Sequence, residues 1–107
     1  MEKINILISD DAALYLDDLV KILYNKDYFG FIESAELYMS RIYEFIDQNI
    51  QYFPSKVRPN ELYGYGENYI FYKINPRTTW YIFFQKSDNN YLVTQVINNH
   101  CQEAKYL

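Results

Sequence analysis

Three β-rich segments follow one another between residues 68 and 100, and they constrain the fold more than any other feature of the chain. They read Asn68-Tyr-Ile-Phe-Tyr-Lys-Ile74, Thr79-Trp-Tyr-Ile-Phe-Phe-Gln85 and Tyr91-Leu-Val-Thr-Gln-Val-Ile97. β-Branched and aromatic residues fit a pleated, half-buried surface. Between the segments stand Asn75-Pro76-Arg77-Thr78 and Ser87-Asp88-Asn89-Asn90. The first fits a type I turn with proline preset at its second position, and in the second Asn and Asp tolerate positive φ. Strands joined by turns this tight predict an antiparallel meander. Its last strand brings Asn98, Asn99 and the only histidine, His100, to the point where the chain leaves the sheet.

Ahead of the meander the periodicity changes. Ile4, Ile6 and Ile8 alternate over residues 3–8, as a short strand requires. Ser9 is a fitting helix N-cap, and Asp10 and Asp11 complement the dipole of the first turn. Ala12, Leu16, Leu19, Val20 and Leu23 then recur at helical spacing to about Tyr24, and Asn25 to Gly30 breaks the pattern. A second helix is predicted from about Phe31 to Gln51, its stripe made of Ile32, Ala35, Met39, Ile42, Phe45 or Ile46, and Ile50. Pro54 and Pro59 hold the next stretch extended, and Gly64 and Gly66 close it. The expected fold is α+β in the order β-α-α-β-β-β, one domain over residues 1–107, with a helical hairpin packed on an antiparallel sheet.

Charge narrows the function classes. Residues 1–52 hold four Lys or Arg against ten Asp or Glu, a balance of −6, and residues 53–107 hold six against four, a balance of +2. Broad nucleic-acid binding needs many phosphate contacts, so any such role falls to the sheet half. Thirteen tyrosines suit a sheet surface with rings buried and hydroxyls wet, or a platform on which bases stack. A single cysteine, Cys101, makes no internal disulfide, which fits a reducing cytoplasm. The N-terminus lacks the features of a signal peptide, and no segment has the ~18–20 apolar residues of a membrane span. Asp10/Asp11 and Asp17/Asp18 are adjacent on helices and point apart, so no metal site is expected, and no cofactor motif is present.

This order of elements resembles the RelE/ParE toxin superfamily over nearly the whole chain. Tyr69-Ile-Phe-Tyr-Lys-Ile74 is similar to that family's Arg-Ile-Phe-Tyr-Arg-Ile strand, and Val96-Ile-Asn-Asn-His100 to its last strand with a terminal histidine. Phe53-Pro-Ser-Lys-Val-Arg-Pro-Asn-Glu-Leu62 looks like the loop before the first of these. The resemblance implies the toxin component of a type II toxin–antitoxin (plasmid stabilization) system. RelE-like members cleave mRNA on the ribosome, ParE-like members poison DNA gyrase, and both are silenced by an antitoxin peptide. Tyr69 stands where many members carry Arg, and Cys101-Gln102-Glu103 where basic residues often follow the histidine.

RNA cleavage needs an acid and a base together with cations for the developing phosphorane charge. His100, Lys73 and Tyr106 are the catalytic candidates; Lys56, Arg58 and Arg77 are candidates for binding substrate or partner. Because this basic set is thin and the isoelectric point low, a gyrase-directed or attenuated toxin is the leading reading. The alternatives are an mRNA-cleaving ribonuclease and a non-toxic interaction module on the same fold. Expected partners are a cognate antitoxin peptide, gyrase or the ribosome with its mRNA, and a second copy of the chain, with no membrane.

Overall fold

A sheet of five strands carries two helices on one face. The structure, a computed structural model, describes residues 3–25 and 34–107. The elements run β1 (Asn5–Ile8), α1 (Asp10–Asn25), α2 (Ala35–Asn49), β2 (Lys56–Val57), β3 (Asn68–Asn75), β4 (Thr78–Ser87) and β5 (Asn90–Asn98), with 3₁₀ turns at Asn60–Leu62 and Gln102–Tyr106. The strand order is β1-β5-β4-β3-β2. The meander pairs antiparallel throughout, and β2 extends it, but β1 lies parallel to β5. The sheet is therefore mixed rather than wholly antiparallel.

Both helices begin where short polar side chains can cap them. Ser9 Oγ accepts from Ala12 N at 3.1 Å, and Ser34 Oγ accepts from Leu37 N at 3.2 Å. Residues 31–33, and with them Ile32 of the expected stripe, lie outside the described residues. α1 buries Ala12, Leu16, Val20 and Leu23 as its spacing predicts, whereas α2 buries Tyr38 along with Ile42 and Ile46. These pack on Ile70, Ile74, Trp80, Ile82, Phe84, Val93 and Val96 of the sheet. Burying one such side chain stabilises by about 1.5–3 kcal/mol, against roughly 1 for a cap, so packing between the layers holds the helices.

Val93 and Val96 share a face although their numbers differ in parity. The register of β4 with β5 passes from Phe83↔Gln95 to Phe84↔Val93, so Thr94 is the extra residue of a bulge. Thr94 Oγ1 donates to the carbonyl of Tyr65. That contact pins the loop before β3 against the other face of the sheet. There a second cluster of Leu62, Tyr69, Phe83 and Ile97 is covered by Tyr65, Ala104 and Leu107. The loop and the C-terminal turn thus cover part of the face expected to be an open aromatic surface.

Candidate functional site

His100 sits in a knot of hydrogen bonds where β5 ends. Asn98 is buried, and its Oδ1 accepts from His100 N at 2.9 Å and from Cys101 Sγ at 3.6 Å. Asn99 bridges to the β3–β4 turn: its Nδ2 donates to Arg77 O at 3.2 Å, and its Oδ1 accepts from Thr79 N at 2.9 Å. The ring of His100 follows, with Nε2 3.1 Å from Thr78 Oγ1. The consecutive Asn-Asn-His therefore works as a clasp between the turn and the chain leaving β5.

The imidazole opens onto a cleft of about 420 Å³ between α1 and the chain after β5. Tyr15, Leu19 and Ile22 of α1 form one wall; Cys101, Gln102 and Glu103 form the other. None of the described residues lining it is a lysine or arginine. Burial pushes the Cys101 thiol above its ordinary range, and the Glu103 carboxylate adds to that push against the Asn98 hydrogen bond. Burial likewise raises the Tyr15 phenol, helped by Cys101 and Glu103. Both shifts leave these side chains protonated and neutral at neutral pH.

The candidate lysines, Lys56 and Lys73, lie elsewhere. Along β3, Tyr69, Phe71 and Lys73 alternate onto the face turned from the helices, and Lys73 is exposed opposite Thr79. Lys56 pairs with Tyr69, and its Nζ stands 5.5 Å from the centroid of the Phe71 ring. Tyr69 meets Tyr81 edge to face at 6.1 Å. Lys56 and Lys73 therefore flank an aromatic patch. Arg58 turns to the loop, its guanidinium carbon 4.8 Å from the Tyr63 ring. Tyr106 is half exposed under Lys105, whose Nζ is 5.2 Å from the ring centroid.

The candidates thus divide. Thr78 alternates with Trp80 and Ile82, which face the helices, so His100 is tied to the helix side while Lys56 and Lys73 occupy the other face. Arg77 is joined to the histidine clasp through its carbonyl. The contribution of Tyr15 and Thr78 was not legible in sequence, because both come to the His100 cleft from distant positions, whereas Asn98 stands beside it at the end of the last strand. Among the described residues no cluster of three or more His, Cys, Asp or Glu could hold a metal ion, and no helix is long and apolar enough to cross a membrane. Comparison with family models, with curated proteins and with solved structures found no match.

Proposed function

We propose that this chain is the toxin component of a type II toxin–antitoxin system of the RelE/ParE kind, and that it acts by gripping a protein target of the gyrase class rather than by cutting RNA. The order of elements and the motifs at residues 53–62, 69–74 and 96–100 support the family reading. The observation that favours protein contact is the division of the candidate residues. The lone imidazole bonds Thr78 beside Glu103, while Lys56 and Lys73 flank aromatics on the opposite face. A phosphorane formed at His100 would find none of those lysines next to it. An aromatic patch rimmed by lysines instead suits a protein surface, with rings as anchors and charges as steering groups. The protein would work in the cytoplasm, held silent by its antitoxin peptide.

Induced expression tests this. Growth should stop with a DNA-damage response, the arrest should survive His100→Ala, and Lys56→Glu with Lys73→Glu should relieve it. Arrest that disappears with His100→Ala and comes with mRNA cleavage would replace this reading with the ribonuclease. No arrest at any level of expression would leave the interaction module.

A further inference from the structure

Two strands end the sheet, and among the described residues only one of these edges is protected. β2 is two residues long and carries Lys56, both of which blunt an edge. β1 is Asn-Ile-Leu-Ile, with no charge and no proline. Asn5 N donates to Asn89 O at 2.8 Å, and Ser9 N to Val93 O at 3.0 Å. Residues of a parallel pair bond inward alternately, so Ile6 and Ile8 turn their amides and carbonyls outward. Among the described residues no strand pairs with that outer side. Leu7 is 66% exposed and sits beside Leu92, 38% exposed, on the face away from the helices. The two line a hollow of about 430 Å³.

We propose that a second copy of this chain occupies this edge, the two β1 strands pairing antiparallel about a two-fold axis so that both sheets become one. The bonding groups decide the allowed registers. Hydrogen-bonded pairs must join outward-facing residues, and the register that uses both such residues of β1 within the strand pairs Ile6 of one copy with Ile8 of the other. Leu7 then falls on the axis opposite its own copy, in a close non-hydrogen-bonded pair about 4.5 Å apart at Cα. Leu92, Leu7 and their two symmetry mates form one continuous apolar strip.

Charge selects a second copy over a foreign strand. Lys3 precedes β1, and Asp10 and Asp11 follow it. Antiparallel pairing brings the basic start of each β1, at Lys3, to the end of the other, where Asp10 and Asp11 open α1, and the same surface meets itself, as a two-fold interface requires. This inference is independent of the toxin reading.

Sedimentation of the full chain over a range of concentrations should give a particle of twice 13.0 kDa. Leu7→Glu touches no core residue, places like charges on the axis and should weaken the dimer at least about tenfold. Lys3→Glu should weaken it too, and adding Asp11→Lys should restore it. With Cys101→Ser removing the native thiol, Leu7→Cys should oxidise to a covalent dimer, because opposed residues of this kind lie within disulfide reach. A particle of 13.0 kDa at every concentration would overturn the proposal. So would a dimer that persists in Leu7→Glu and fails to cross-link through Leu7→Cys.

Discussion

Trp80 Nε1 donates to the Tyr38 hydroxyl at 3.0 Å across the layer between β4 and α2, with both side chains almost wholly buried. Their rings meet edge to face with centroids 6.3 Å apart. This bond satisfies the one polar atom of the largest side chain in the core, and it accounts for a tyrosine on the inner stripe of α2. Tyr38→Phe keeps the ring but takes away the acceptor. We expect a loss of about 1–3 kcal/mol in denaturant unfolding with the slope unchanged. An unaltered midpoint would show that the indole finds another partner.

Gly66 and Gly64 lie two residues apart and should respond differently to alanine. At Gly66, φ is +150° and an added Cβ would come within 2.7 Å of Thr94 Oγ1 and 2.9 Å of Phe84 N. At Gly64, φ is +93° and the space around an added Cβ is open. Gly64→Ala should cost about 1 kcal/mol from backbone conformation alone. Gly66→Ala should cost about 3 kcal/mol, because it must also displace the bulge and the backbone of β4. Equal losses in thermal unfolding would mean that the loop moves freely off the sheet.

Asn98 organises the end of β5 through one buried oxygen that accepts from His100 N and Cys101 Sγ. Asn98→Ala should cost about 0.5–1.5 kcal/mol, because the bond from the His100 amide to the buried Asn98 side chain is lost while that amide, on an exposed residue, stays within reach of water. It should also speed alkylation of Cys101 by iodoacetamide in the folded protein. Loss of stability with the alkylation rate unchanged would show that the clasp does not restrain the thiol.

Alkaline pH should destabilise the protein through Cys101. Its folded value is raised, first by burial and then by Glu103, from an ordinary 9.0. The unfolded chain therefore releases this proton at lower pH than the folded one. The contribution is fully present below the ordinary thiol value and is lost as pH rises through the folded value. Denaturant midpoints should fall as pH passes above about 9, with Tyr15, Tyr65 and Tyr69, all raised by burial, adding to the loss at still higher pH. Cys101→Ser should remove the first part of that decline. A midpoint flat through this range would contradict the assignment.

Local chemistry was enough to determine the meander, the helical hairpin and most of the helix-facing core. Turn residues at 75–78 and 87–90, alternation along the strands and the four-residue spacing of Ala12, Leu16 and Val20 act over a few positions and read directly from the chain. Pairing across long separations was beyond that reach. The parallel seat of β1 on β5 and the bulge at Thr94 depend on segments that meet only when both sheet faces are covered. The same is true of the site. His100 and Lys73 both lie near strand ends, yet strand alternation and the Thr78 contact place them on different faces. Period-two geometry sends neighbouring side chains apart, so residue type alone names the candidates, and only the folded sheet decides which of them meet.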